Sequence, residues 1–542
     1  MKLNLQWVSE LIGHDFENWK PGDVIRIEAQ TGTGKTEFVK TQLLDYAINN
    51  EKKILYICNR VYLKRQMKKD VAEKQNIPMD LNIEAIDNVD DIGFITITSY
   101  QKIQHHFLNN LKGIDYNCVY NEYLKYDYLI LDEIHYVCSD ASFANETVFF
   151  LDFLRQSRKN CITVLISATM NDIREPLEEI YPYSEHNVYD FTTGSDYSYL
   201  DVYYFKEFQD IVTTINNDHS SNKWLVFVSN IEKALEMRDE IKESKFICSE
   251  NSKYAAEMDM DELNNLITNH KFDCKCLIAT KALDNGINIH DLLLTNIVIA
   301  VFDKIDFIQM LGRKRINIEN AQKVNLYIKT RYKKSFLALI NGKYKPADDV
   351  VKLWKYETAN FNRKYDTKID ELGKYSYLFY RDENGWQLNK IGYLTMKKQK
   401  MFCEYMVKRY DDLGENAFIY TQLQWINQEY NEEHWIEEVV DNEETENLEI
   451  YLEDLVGKKL LKKEQKELIN VIGLKDKKGR IKKTYGVFNE CFKEDKIPFM
   501  IIPKRTSKLV DGIKKDIRYW EVISVINSED DLAELPSKCG IN

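Results

Sequence analysis

The chain has 542 residues, 44% of them hydrophobic, enough for three or four domains with sizeable cores. Its net charge of −13 is uneven: Gly457–Trp520 carries 19 Lys/Arg against 8 Asp/Glu, which leaves an acidic body and a basic end. No run of about 18 apolar residues and no signal-peptide pattern occur, and the ten scattered cysteines lack C-x-x-C spacing, so a membrane span, a secreted disulfide framework and a zinc or iron–sulfur site are not predicted and the expected setting is cytoplasmic.

Residues 1–23 form a short amphipathic lead. Within it Phe16 and Trp19 are adenine-stacking candidates, with ordinary packing as the alternative. The apolar run Val24–Ala29 then reads as a strand. It runs into Gln30, Thr31, Gly32, Thr33, Gly34, Lys35 and Thr36, and a helix is predicted over Glu37–Ala47. Strand, glycine loop and helix is the context of a phosphate-binding loop. Its glycines let backbone N–H groups converge on a polyphosphate, and the helix N-terminus favours the anion. Lys35 reaches the β and γ phosphates and Thr36 holds Mg²⁺, so ATP with Mg²⁺ is the expected ligand pair. Ala29 stands where such loops usually begin with Gly.

Lys53–Cys58 is the next strand, ending in the basic stretch Asn59–Gln66. Arg60, Lys64 and Gln66 there are candidate phosphate contacts, against the alternative of a solvated basic helix. Phe94–Thr98 is a short strand followed by Thr98, Ser99 and Gln101. These suit a nucleic-acid backbone, or else cap a helix over Tyr100–Leu111. Tyr128–Leu131 delivers Asp132, Glu133, Ile134 and His135. A carboxylate at the end of a buried strand suits a metal contact beside the phosphate loop, and the next acid suits water activation. Cys161–Ser167 is followed by Ala168 and Thr169.

The alternation then repeats without a second phosphate loop. Strands are expected at Val202–Phe205, Trp224–Val228, Lys245–Cys248, Cys276–Ala279, Asn296–Val301 and Val324–Lys329, and helices at Ile231–Ser244 and Ala256–Thr268. Two stretches mark this half: Ala279–Asn288 after a strand, and Gln309–Arg315 after a helical Ile305–Met310. Arginines on a second domain can close on a γ-phosphate held by the first.

After Thr330 the pattern changes. Helices are read at Asp348–Arg363, Thr395–Leu413 and Leu448–Lys466, and an amphipathic helix with an acidic turn is read within Asn427–Glu453, a segment that alternatively binds a protein partner. Further runs are Thr484–Phe488, Phe499–Ile502 and Ile517–Ile523. A hairpin pairing about Lys504–Lys508 with Arg518–Ile523 around Asp511–Gly512 completes a winged-helix-like module with Tyr485, Phe488, Tyr519 and Trp520.

These segments, in this order, resemble the superfamily 2 helicases of the DExH (DEAD/DEAH-box-like) type over roughly residues 20–330. The resemblance implies an α/β fold of two tandem RecA-like domains, with ATP and Mg²⁺ between them and nucleic acid as partner. Gln30–Thr36 match motif I, Asn59–Gln66 motif Ia and Thr98–Gln101 motif Ib. Asp132–His135 match motif II, with Asp132 on the metal, Glu133 as the base and His135 coupling the lobes. Ser167 and Thr169 match motif III. Thr280, Gly286 and Asn288 match motif V, and Gln309, Gly312, Arg313 and Arg315 match motif VI. The family carries its last motif VI arginine three residues after the Gly–Arg arginine. Ile316 stands there, so Arg313 is the firmer finger and Arg315 the second candidate. Asn59 replaces the usual Pro of motif Ia.

The expected domains are 1–195 and 196–345 for the two lobes, 346–456 for a mainly helical region and 457–542 for the basic C-terminal domain. The expected function is a helicase or translocase on DNA, single-stranded or duplex, with RNA second. The alternative is an ATP-driven nucleic-acid switch, or a motor subunit of a replication, restriction or defence complex that acts through protein partners.

Overall fold

The computed structural model describes residues 1–59, 61–79, 83–110, 121–141, 147–157, 159–180, 182, 187–249, 252–280, 287–365, 372–382, 384–436, 448, 451–474, 481–494, 497, 499–510 and 513–524. The chain divides into two compact units, Met1–Glu438 and Val439–Asn542. Among the described residues no helix is long and apolar enough to cross a membrane, and no group of three His, Cys, Asp or Glu side chains is placed to hold a metal.

The first unit holds two parallel sheets. Strands β1 (Val24–Glu28), β2 (Ile54–Cys58), β3 (Asp91–Ile92), β4 (Ile95–Ser99), β5 (Tyr128–Asp132), β6 (Ile162–Ser167) and β7 (Val188–Thr192) order as β3-β4-β2-β5-β6-β1-β7, with only β3–β4 antiparallel. Strands β2, β5 and β6 are buried along their whole length, which requires helices on both faces of the sheet. Successive side chains therefore feed two cores. Ile25, Ile27, Tyr56 and Ile130 pack on one face, and Val24, Leu55, Ile57 and Leu129 on the other.

The second sheet, β8 (Leu200–Phe205), β9 (Lys223–Val228), β10 (Ser244–Ile247), β11 (Cys276–Ala279), β12 (Leu294–Ala300) and β13 (Val324–Lys329), orders as β10-β11-β9-β12-β13-β8 and is parallel throughout. Leu225, Phe227 and Ile299 face one core; Trp224, Val226 and Val298 face the other. These are two RecA-like lobes. Each predicted strand of the two lobes is present, with ends shifted by a residue or two.

A helical region follows. The predicted helix Asp348–Arg363 is two helices, Lys345–Tyr356 and Thr358–Tyr365, broken at Glu357. The long helix starts earlier than the sequence suggests, at Lys390, because the Asn389 side chain caps it by accepting from the Gly392 N–H; it runs 24 residues to Leu413. A small hairpin, β14 (Phe379–Asp382) with β15 (Gly385–Leu388), was not expected from the sequence. The amphipathic helix read in Asn427–Glu453 is not what forms over residues 427–436. A 3₁₀ turn at Glu432–His434 leads Trp435 into a parallel bridge with Tyr204 on the exposed edge of β8, where edge pairing outcompetes helix formation. Residues 437–447 lie outside the described residues. Phe16 and Trp19 pack into the first lobe's core against Phe38, Tyr46 and Phe191, so they serve packing rather than adenine stacking.

In the second unit residues 451–455 are helical. Leu460 then bridges Trp520, and helices Lys462–Ile472 and Tyr485–Glu494 precede the hairpin β16 (Phe499–Val510) and β17 (Ile513–Ser524). Helix, short strand, helix, helix, hairpin is the order of a winged helix. The predicted break at 456/457 cuts through this unit, whose core shares Leu452, Leu460 and Leu468. Leu448–Lys466 is therefore not one helix, and Val456 and Leu460, on either side of a turn at Gly457, each bridge to β17. Thr484–Phe488 is helical rather than a strand, burying Phe488 and Phe492 one turn apart. The hairpin begins at Phe499, five residues before the predicted start, and its last pair is Val510 with Ile513; Asp511–Gly512 lie outside the described residues.

The long helix docks on the first lobe through Ile391 and Gly392. A Cβ on Gly392 would stand 2.7 Å from the Tyr377 carbonyl oxygen and 2.9 Å from that of Ala141, both backbone atoms. A helical Gly→Ala change ordinarily stabilises by about 0.5–1 kcal/mol. Gly392→Ala is expected to do the reverse, at a cost of roughly 1–3 kcal/mol, read as a lowered thermal midpoint; a raised midpoint contradicts this docking.

Candidate active site

The phosphate-loop stretch leaves the carboxyl end of β1 between β6 and β7, the position where open α/β sheets bind ligands. Gly32 has φ +97° and Gly34 φ +85°, left-handed values that a side chain disfavours, and Gly34 caps the helix that opens at Lys35. That helix continues through a π turn at Val39–Leu43 to Asn49. The buried Lys35 Nζ donates to the Ala29 carbonyl at 3.1 Å and lies 3.4 Å from Glu133 Oε1. Thr33 Oγ1 donates to the Gln30 carbonyl at 2.7 Å. The Gln30 side chain turns away from the loop's mouth: Nε2 donates to the Asp196 carbonyl at 3.0 Å and Oε1 accepts from the Asp196 N–H at 2.7 Å, so it fastens the linker between the lobes.

The ends of β5 and β6 supply the facing wall. Tyr56 on β2 donates its hydroxyl to Asp132 Oδ2 at 2.6 Å and also hydrogen-bonds the Thr36 side chain, so one buried phenol joins the two residues expected on the metal. Burial first, then the Asp132 charge, pushes the Tyr56 pKa well up and keeps it a donor. Tyr100 donates to the Asp132 carbonyl at 3.0 Å. Glu133 sits at φ +53°, a costly conformation for a residue with a Cβ. It turns the carboxylate back toward Lys35. His135 Nδ1 stands 3.2 Å from Glu133 Oε2 and 3.1 Å from Ser167 Oγ, which in turn shares a hydrogen bond with Thr169 Oγ1 at 3.2 Å.

The second lobe closes this cluster. From the helix Lys304–Leu311, Gln309 Nε2 approaches Glu133 Oε2 at 3.5 Å. Arg313, 1% exposed, is clamped on the same residue: Nε donates to the Gln309 carbonyl and a terminal nitrogen to Oε1, both at 2.9 Å. Lys304 reaches across to Asp172 of the first lobe at 2.9 Å. Gly312 sits so close to the phosphate loop that a Cβ there would be 2.6 Å from Thr31 Oγ1. Lys35, Asp132, Glu133, His135, Ser167, Thr169, Gln309 and Arg313 are thus brought to one place. The Arg315 N–H bonds the Ile289 carbonyl at 2.9 Å, and its charge, after burial and His270, helps hold the His290 pKa down.

The strand-facing candidates are dispersed. Thr98 is buried, and Ser99 caps the following helix by accepting from the Lys102 N–H at 3.2 Å. Gln101 donates to the Tyr136 hydroxyl. Lys64 is half-buried, with its pKa lowered by burial and then by Lys68; Gln66 is exposed. Thr280 is buried at the end of β11 and Asn288 half-buried, while Arg60 and Gly286 lie outside the described residues.

Sequence reasoning missed Tyr56, although one hydroxyl inside the aliphatic run Ile54–Cys58 was a signal, since a buried phenol needs a partner. It also missed the N-terminal segment. Leu3 N–H bonds Ile318 of the second lobe at 2.8 Å, and Val8 N–H bonds Thr33 of the phosphate loop at 2.9 Å. The Trp7 ring lies 3.2 Å from where a Gly34 Cβ would be.

Between the two arginines lies Lys314, 4% exposed, donating to the Asp291 carbonyl at 3.0 Å. Burial pulls its pKa down to about 8, with Asp291 opposing. A lowered lysine pKa means that the unfolded chain holds more protons between that value and the ordinary lysine range. Stability contributed at this position therefore rises with pH from about 8 to 10 and is penalised below, by on the order of 3 kcal/mol. Thermal melts of wild type and Lys314→Met are expected to show wild type gaining on the variant across that window; a constant gap contradicts a buried charge.

Two consecutive family profiles match: DEAD/DEAH box helicase over residues 14–176, and helicase conserved C-terminal domain over residues 205–317. No curated protein matches the sequence significantly. Among solved structures the chain is similar to S. cerevisiae Dbp5 bound to RNA and ADP BeF3 (17% identity over 58% of this chain and 81% of that one, TM-score 0.41). It is also similar to Mycobacterium smegmatis helicase Lhr bound to ssDNA and AMP-PNP (13%, 62% and 49%, 0.39) and to the Escherichia coli DEAH/RHA helicase HrpB (13%, 60% and 42%, 0.39). The two profiles fall on the two parallel-sheet lobes in the order of the motifs, and the chain belongs to the superfamily 2 helicases of the DEAD/DEAH-box type, ATPases that act on nucleic acid.

Proposed function

We propose that the chain is a DNA helicase or translocase that hydrolyses ATP with Mg²⁺ between its two lobes. The observation that carries this reading is Glu133, which contacts Lys35 of the first lobe and Gln309 of the second, so the hydrolytic carboxylate is completed only by both. The backbone N–H groups of residues 31–36 receive the polyphosphate, and Lys35 offsets its terminal charge. Glu133 accepts the proton of the attacking water, held by its contact to His135. Arg313, positioned by Gln309, is the cation that closes on the γ-phosphate; Arg315, beside His290, orders the turn behind it.

The Thr36 hydroxyl and the Asp132 carboxylate are hard oxygen donors of the kind Mg²⁺ selects, and Tyr56 holds both. They would hold the ion, which when bound neutralises charge on the β and γ phosphates. The strand lies across the tops of the lobes, against the half-buried Lys64 and Ser99, with contacts mainly to phosphates. His135, Ser167 and Thr169 couple the cleft to that surface. DNA is preferred over RNA because the C-terminal unit has winged-helix order and a basic surface, features suited to a B-form groove.

The test is the ATPase rate of wild type and Glu133→Gln without nucleic acid and with single-stranded DNA, duplex DNA and RNA. DNA is expected to stimulate wild type at least tenfold, and the variant to lose about 10²–10⁴-fold. A rate that is flat across all four, or a greater stimulation by RNA, contradicts the proposal. Tyr56→Phe is expected to raise the Mg²⁺ concentration for half-maximal rate several-fold, with kcat at saturating Mg²⁺ much less affected. An unchanged Mg²⁺ requirement removes Tyr56 from the site.

A further inference from the structure

We propose that the C-terminal unit is a duplex-DNA-binding winged helix whose hairpin holds the phosphate backbone through Arg505 and Arg518. The proposal deepens the reading of the chain as a DNA motor and rests on it for the kind of nucleic acid.

The hairpin register puts Arg505 directly opposite Arg518. Directly paired side chains on one face of an antiparallel ladder stand about 4.5–5.5 Å apart at Cβ, and like charges there weaken the hairpin. Both arginines are exposed. They occupy the face that, four pairs nearer the base, buries Ile501 and Val522 in the core. The core ends and the arginines continue the same face into solvent. Among the described hairpin residues Asp516, opposite Ser507, is the one acid that alternation assigns to this face. The neighbouring Lys504, on the other face, is by contrast neutralised by Glu521 at 2.8 Å. A repulsive pair kept at the end of a rigid face is relieved when a phosphate sits between the guanidiniums, which bind it bidentately.

The geometry around the pair is fixed in advance. Asn489, on the helix Tyr485–Glu494, donates to the Ile501 carbonyl at 3.0 Å and accepts from the Ile501 N–H at 2.8 Å, so helix and wing move as one body. Gly486 at the start of that helix has nothing within 4 Å of where its Cβ would be, which leaves the backbone open to close approach. Exposed Lys483 precedes the helix, and Lys462, Lys463 and Lys466 are exposed along its predecessor. A helix flanked by a basic wing fits the major groove of B-form DNA, about 12 Å wide, and not the deep, narrow major groove of A-form RNA.

The test is fluorescence anisotropy of the full chain, without nucleotide, on a 20-base-pair blunt DNA duplex and on the same duplex as RNA, alongside the single-strand-stimulated ATPase. Arg505→Glu/Arg518→Glu is expected to weaken DNA-duplex binding at least tenfold and to make the salt slope shallower by about one, for the one phosphate no longer held. Arg505→Gln/Arg518→Gln is expected to weaken binding while its thermal midpoint stays equal or rises, since the repulsion is removed; a merely structural pair would lower it. Stimulation of the ATPase by single strands is expected to persist in both variants. Duplex affinity that survives both substitutions, or equal affinity for the RNA duplex, overturns the proposal while leaving the motor reading intact. If wild type binds the duplex through the arginines but shows no DNA-stimulated ATPase, the motor reading fails and the wing stands.

Discussion

The structure depends on one buried carboxylate. Glu133 is held at φ +53° with its oxygens between Lys35, His135 and Gln309. A buried charge without partners is prohibitively costly, and breaking one side of a buried pair costs several kcal/mol. Glu133 draws partners from both lobes, so lobe closure and satisfaction of the acid are one event. Glu133 meets Gln309 and Gln309 meets Arg313, which makes the second lobe's arginine an extension of the first lobe's acid. Gly312 lets the second lobe press on Thr31 with no room for a methyl group, and Lys304 adds an ion pair with Asp172.

The sheets exist to bring these groups to one cleft. Parallel strands buried on both faces end at a common edge, and the loops there are free to carry chemistry because packing has already fixed the strands. Asp132 and Ser167 sit at the ends of adjacent strands, and β6 also pairs with β1, which leads into the phosphate loop. The separate C-terminal unit follows a different logic. Its small core is assembled from Leu452, Leu460, Leu468, Phe488 and Ile501, and its charge is displayed outward.

Most strands of both lobes were legible because fully buried parallel strands are written as short continuous apolar runs between charged flanks, whereas the edge strands β3 and β7, not buried along their length, were missed. The phosphate loop was legible because a left-handed backbone leaves glycine as its residue, and Gly32 and Gly34 stand there. Other features were not. Thr484–Phe488 reads equally as strand or helix, since a five-residue run with two aromatics fits either period; the turn that pairs Phe488 with Phe492 decides it. Gln30 follows the motif's spacing, yet its side chain bonds the linker, because spacing fixes backbone position and not rotamer. Tyr56 was hidden because a motif reading attends to strand ends, and it sits mid-strand.

The shared site requires that hydrolysis depend on the contact between the lobes. The most direct measurement is the kcat and the ATP KM of Gln309→Ala with and without single-stranded DNA. If Glu133 and Arg313 are joined through Gln309, ATP affinity stays near that of wild type while kcat and its stimulation by DNA fall together. Full stimulation with an unchanged kcat would mean that the first lobe hydrolyses ATP unaided, and would contradict the shared site.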